Sequence, residues 1–144
     1  MLNKKKIIMI EEYFHQKHGY NPFIIRDGWQ VAQLNYLPGY GFEEIDRIEV
    51  HNKTDEVFVL VKGRAVLIAA NVSNEGDIKW DLRNMVVGVT YNIPAGMWHN
   101  IAMDKDAQLA IIEKDNTHLQ DCTYLELKES QINELKILIQ KECE

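Results

Sequence analysis

A chain of 144 residues is long enough for one domain with a substantial core, since a domain of this size buries roughly 68–70% of its unfolded surface. Its 22 acidic and 16 basic residues leave a net charge of −6, which repels a phosphate backbone and excludes nucleic acid as an expected partner. Two cysteines, Cys122 and Cys143, are too few for a disulfide framework and read as free thiols of a cytoplasmic protein. The apolar run Ile7-Ile8-Met9-Ile10 after Lys4-Lys5-Lys6 is too short for a signal-peptide core, and no stretch approaches membrane-spanning length.

Residues 1–28 are mixed in character. Ile7 to Phe14 fits a short strand or a helical turn equally, and His18-Gly19-Tyr20-Asn21-Pro22 reads as a loop. His15 and His18 lack a third ligand nearby and are expected to be solvent-exposed. Trp29 to Leu37 has strand composition and is closed by Pro38-Gly39. Ile45 to His51 alternates, with Arg47, Glu49 and His51 on one face and Ile48 and Val50 on the other. A polar turn, Asn52 to Asp55, leads to Glu56, which opens the apolar run Val57 to Val61.

Lys62-Gly63-Arg64 resembles a hairpin connection to the apolar run ending at Val72, and Asn74-Glu75-Gly76-Asp77 marks the next turn. In Ile78 to Asn84, Trp80 either rims a pocket or packs on a barrel end; packing is the simpler reading for a tryptophan with no partner group. Short strands follow at Met85 to Thr90, Tyr91 to Ile93, Asn100 to Met103 and Leu109 to Glu113, with Pro94-Ala95-Gly96 a tight turn that delivers His99 onto a strand. Residues 114–122 form a polar connector and Thr123 to Leu127 one more strand. Ser130 is a plausible N-cap for a helix over about 130–142, whose stripe of Ile132, Leu135, Leu138 and Ile139 is expected to pack on the β-structure. Many short strands with the helix deferred to the end predict an all-β sandwich or barrel.

Two stretches carry the chemistry. In the first, residues 49–63, Glu49 and His51 share a strand face and Glu56 begins the returning strand. In the second, residues 88–103, Gly88, Pro94, Gly96 and His99 are set at fixed intervals. Together they resemble the paired motifs of the cupin superfamily. His51, four residues, Glu56, six residues and Gly63 match the first motif; Gly88, Pro94, Gly96 and His99 match the second, with 24 residues between Gly63 and Gly88. Three positions depart: Glu49 stands where the first histidine belongs, Glu43 where the opening glycine belongs, and Met103 where the closing asparagine belongs.

The resemblance implies a single domain over 1–144, a cupin-type double-stranded β-helix (jelly-roll barrel) with a C-terminal α-helix, in which Glu49, His51, Glu56 and His99 converge. Imidazole and carboxylate donors suit a divalent metal ion such as zinc, iron, manganese, nickel or cobalt, and no thiolate is expected to favour a structural zinc site. The implied function is action on a small polar metabolite, a sugar derivative or carboxylic acid, with isomerase, lyase or dioxygenase chemistry all compatible with the fold. Cupin scaffolds that lack ligands also serve as non-catalytic small-molecule-binding modules or metal-free sugar isomerases, and Glu49 would then pair with Arg47 or hydrogen-bond His51. An outward apolar face at Ile48 and Val50 leads to the expectation of a homodimer.

Overall fold

The computed structural model describes residues 7–144; Lys4, Lys5 and Lys6 lie outside the described residues. Its ten strands are β1 (Gly19–Arg26), β2 (Trp29–Asn35), β3 (Arg47–Val50), β4 (Glu56–Lys62), β5 (Ala65–Val72), β6 (Ile78–Asn84), β7 (Thr90–Ile93), β8 (Trp98–Met103), β9 (Gln108–Glu113) and β10 (Thr123–Glu126). A single helical turn, α1 (Thr117–Gln120), precedes β10, and α2 (Glu129–Cys143) follows it. The strands form two five-stranded antiparallel sheets, ordered β1-β2-β9-β4-β7 and β10-β3-β8-β5-β6, the arrangement of a jelly roll.

Alternation along each strand explains the layers. On β4, Glu56, Phe58 and Leu60 point inward and are buried; on β9, Leu109, Ile111 and Glu113 do the same. The apolar ones, Phe58, Leu60, Leu109 and Ile111, meet Ala65, Leu67, Ile101 and Met103 of the opposite sheet in the core between the sheets. The other face of β5, Val66, Ile68 and Ala70, packs with Leu135 and Ile139 of α2 in a second core. Burial on both faces is why β5 reads as an almost unbroken apolar run.

The α2 stripe therefore packs on the barrel as its spacing predicts, one residue earlier in onset, with the Gln131 Oε1 accepting from the Lys128 N–H at 2.9 Å. Trp80 belongs to the same layer and donates to Glu134 at 3.3 Å, which settles it as packing. No helix among the described residues is long and apolar enough to cross a membrane.

Several local expectations are corrected. Ile48 is fully buried in the second core, which also holds Leu135 and Ile139 of α2, and Val50 is buried as well, so the apolar face of β3 is already covered within the chain and does not supply the exposed patch expected of a dimer interface. Gly19 to Pro22 is not a loop but the start of β1; this strand is a sheet edge, and its register shifts between Pro22 and Ile24, the kind of place where a strand tolerates proline. Ile7 to Phe14 is in neither strand nor helix, and residues 85–89 form a loop.

Lys62-Gly63-Arg64 is also not a hairpin, because β4 and β5 lie in opposite sheets. The chain crosses here at Gly63, with φ of +78°, and a Cβ at this position would lie 2.5 Å from the Ala107 Cα and 2.6 Å from its nitrogen. Both the left-handed backbone and the overlap penalise any side chain. Gly63→Ala is expected to cost about 3 kcal/mol, read as a lower urea midpoint at unchanged slope; a midpoint equal to wild type would contradict the close approach.

Candidate metal centre

At one end of the barrel the inward face of each strand changes from apolar to polar. Glu56 opens β4, Glu113 closes β9, Gln30 lies near the start of β2 and His99 near the start of β8; all four are buried, and antiparallel pairing brings them to the same end. Glu49 is the cross-strand partner of His99, and His51 follows directly on β3. The loops that carry these residues are tied together. Asp55 accepts from the Ala95 N–H at 2.9 Å and the Asn92 side chain at 3.0 Å, and the Gly96 N–H donates to the His51 carbonyl at 2.7 Å. Asp121 accepts from the Asn52 and Lys53 N–H groups at 2.9 and 2.8 Å.

The structure brings Glu49, His51, Glu56 and His99 together: one ligating atom from each lies within 4.8 Å of the others. Both imidazoles are held by their far nitrogen. The His51 Nδ1 lies 2.6 Å from the Asp121 carbonyl oxygen and the His99 Nδ1 lies 2.9 Å from that of Met97. A carbonyl oxygen only accepts, so each Nδ1 carries the hydrogen and each Nε2 of a neutral ring presents a lone pair. Those Nε2 atoms converge on one carboxylate oxygen, the Glu56 Oε2, at 2.9 Å from His51 and 2.7 Å from His99, while the Glu49 Oε1 stands 3.8 Å from the His99 Nε2.

Two lone pairs facing a carboxylate repel unless a positive charge lies among them. Protons supply it in the ion-free protein. Burial opposes a charged imidazole, but hydrogen bonds with Cys122 and Glu56, together with the Glu56 charge, push the His51 pKa up to about 11. His99 is raised in the same way: burial opposes, and Glu56, then Glu49, outweigh it. Glu56 is lowered against the pull of burial by its bonds to both rings. The residues equally fit a divalent cation, which offers the same positive charge to two imidazole nitrogens and two carboxylates.

A cavity of about 110 Å³ opens beside this cluster. Tyr20, Tyr40 and Tyr124 contribute to its wall, and Leu34, Phe58 and Ile101 to its apolar lining. The Arg47 guanidinium lies 4.2 Å from the Tyr124 ring centroid, in an adjoining groove.

No protein-family model and no curated protein matches the chain. Solved structures do. BH2720 from Bacillus halodurans is similar at 18% identity and a TM-score of 0.53 over 77% of this chain and 80% of that one. The capsular polysaccharide assembling protein CapF from Staphylococcus aureus is similar at 24% identity and a TM-score of 0.51 over 80% of this chain. The match spans only 34% of CapF's length. Bacillus subtilis oxalate decarboxylase follows at 18% identity and a TM-score of 0.45, over 70% of this chain and 24% of that one. The fold is that of a cupin.

Within this cupin-type fold, several groups at the site escaped the motif reading. Glu113 is buried beside the cluster, its Oε2 3.9 Å from the His51 Nε2, and burial followed by the Glu56 charge pushes its pKa up to about 7. Its Oε1 accepts from the Tyr20 hydroxyl in a short hydrogen bond and from the Gln30 amide at 3.1 Å. Burial, then Glu113, raises the Tyr20 pKa above its ordinary value, so Tyr20 stays a donor. Gln30 is itself fixed, accepting from the Asn116 N–H at 2.8 Å and lying 3.1 Å from the His118 Nδ1.

Cys122 stands beside the cluster as a thiol whose sulfur donates to the Glu49 Oε2 at 3.1 Å, outside the four convergent donors. Arg47 sits over Tyr124, so the pairing of Glu49 with Arg47 gives way to this contact. His15 and His18 take no part: the His18 Nδ1 lies 3.0 Å from the Tyr36 carbonyl, and His15 stacks on Phe23.

Proposed function

We propose that this cupin binds one divalent metal ion through Glu49, His51, Glu56 and His99, and uses the adjoining cavity for a small polar metabolite, a sugar derivative or a carboxylic acid. The convergence of two Nε2 atoms, with both Nδ1 atoms held by carbonyls, on the Glu56 carboxylate carries this reading. A divalent ion there supplies Lewis acidity, polarising a ligand oxygen or lowering the pKa of a bound water. The chain's own residues orient the donors and exclude water. Asp121 and Met97 fix the imidazole planes, Phe58 packs edge-on to His99 at 6.0 Å, and Glu49, with 27% of its side chain exposed, stands at the rim through which a ligand reaches the site.

A second reading has its own support. The raised histidines and lowered Glu56 make a stable proton-holding cluster, which suits metal-free acid–base chemistry of the isomerase type. Elemental analysis of protein purified without chelator separates the two, with about one ion per chain expected for the first and none for the second.

Glu49 provides a graded test because its charge and reach are both used. Glu49→His is expected to keep the ion with a shift toward borderline-soft metals, Glu49→Gln to bind roughly tenfold more weakly, and Glu49→Ala weakest of all. Wild-type affinity in all three variants, measured by competition titration, would make Glu49 a bystander.

A further inference from the structure

Resting on that reading of the site, we propose that its ligand is an uncharged, hydroxyl-rich small molecule of the sugar or polyol class, and that Glu113 recognises one of the hydroxyls. Of the two chemical classes compatible with the site, this one excludes the carboxylic acids.

The charge balance comes first. Glu49, Glu56 and Glu113 line the cavity, and none of the described residues lining it is lysine or arginine. Three carboxylates face the two positive charges of a divalent ion, leaving the wall negative; with Glu113 protonated the sum is zero. In neither state does the site offer net positive charge to an anion. The nearest guanidinium of β3, Arg47, is stacked on Tyr124 in the neighbouring groove. Glu49 in place of a neutral histidine is one source of this balance, and Glu113 is the other.

Hydrogen bonding supplies the second, independent observation. The Glu113 side chain is 2% exposed, and its Oε2 is a buried polar atom without a hydrogen-bond partner, the His51 Nε2 standing 3.9 Å away. The Oε1 is already taken by Tyr20 and Gln30, which fixes the carboxyl plane and leaves the Oε2 free beside the cavity. A buried group left unpaired is costly, and a ligand that completes it gains that difference on binding. A hydroxyl fits because it donates to a carboxylate and accepts from a carboxylic acid, so the match holds in either state of Glu113. Tyr20, Tyr40 and Tyr124 add aromatic surface against which the C–H faces of a sugar pack.

Calorimetric titration of matched probes tests this on metal-reconstituted protein freed of excess ion: D-xylose with D-xylonate, D-glucose with D-gluconate, and glycerol with glycerate. Metal content is measured after each run, because hydroxy acids chelate ions. At least one uncharged probe is expected to bind tenfold or more tightly than its acid, and Glu113→Leu, which removes both polar atoms at similar size, to weaken that probe at least tenfold at unchanged metal stoichiometry and unchanged β-rich circular dichroism. An acid that binds as well as or better than its partner overturns the proposal. So does the failure of every uncharged probe, or a Glu113→Leu variant that folds, keeps its metal and binds like wild type. A protein that takes up no metal yet keeps the preference sinks the metal reading and leaves this one standing.

Discussion

Glu56→Gln is expected to lower metal affinity by at least about a hundredfold while leaving the β-rich circular dichroism intact. The Glu56 Oε2 is the shared partner of both Nε2 atoms, at 2.9 and 2.7 Å, so one substitution removes the charge that both histidines face. The amide keeps the shape but donates to only one ring at a time. In the ion-free protein both imidazoles lose the charge that holds them protonated, and they answer by deprotonating, which spares the fold most of the penalty of a broken buried ion pair. Chelator competition reads the affinity, and imidazole NMR resonances followed with pH read the histidines. Affinity within threefold of wild type would place the ion elsewhere.

The second large effect is a reversal of how stability depends on pH. Without an ion, His51 has a folded pKa of about 11, above its ordinary unfolded value. Its contribution is therefore fully present below the unfolded pKa of ~6.5 and is lost as pH rises through the folded value. Glu113, raised to about 7, acts in the same sense: its contribution is full below its unfolded pKa and is lost as pH rises through 7. Glu56, lowered, acts oppositely, but only in acid, below its unfolded value. Chelated protein should thus melt at progressively lower temperature from pH 6 to pH 9.

The metal-loaded protein should do the reverse, because the ion competes with those protons and binds more tightly as they leave. At saturation the loaded form is expected to melt roughly 10 °C above the chelated form at pH 8. Parallel melting profiles with and without ion would refute proton–metal competition at this cluster.

How far the sequence reveals these features depends on what each signal can carry. His51, Glu56 and His99 were legible through motif spacing, and Glu56 also because a carboxylate occupies the inward register of an apolar strand with Phe58 and Leu60. Glu113 bears the same mark, in register with Leu109 and Ile111, so the alternation of β9 was enough to find it; composition alone reported only a strand. Tyr20 was hidden by its neighbours. Gly19, Asn21 and Pro22 are turn formers, and only the position of β1 at a sheet edge makes them a strand.

Gln30 and His118 come together through pairing of β2 with β9 and through the α1 turn, contacts between residues 88 apart that no local pattern encodes. Cys122 arrives beside Glu49 for a similar reason, through the pairing of β10 with β3. For Ile48 and Val50 the alternation separated the two faces correctly, but period-two spacing cannot tell an outer face open to water from one covered by other parts of the chain.

Glu56 belongs to one sheet, while His51 and His99 extend from strands of the other. Their contacts form a clasp across the gap between the layers, made of buried charge at the polar end of the barrel. Prying the sheets apart there would strand ionised groups in a poor solvent for them, whereas the core between the sheets is joined by non-directional apolar contact. The end proposed to bind a ligand is consequently the one where parting the sheets costs most. A ligand of the proposed kind would arrive past the partly exposed side chains of Glu49 and Tyr124, and its binding would then be timed by diffusion and desolvation, with no need for the sheets to part.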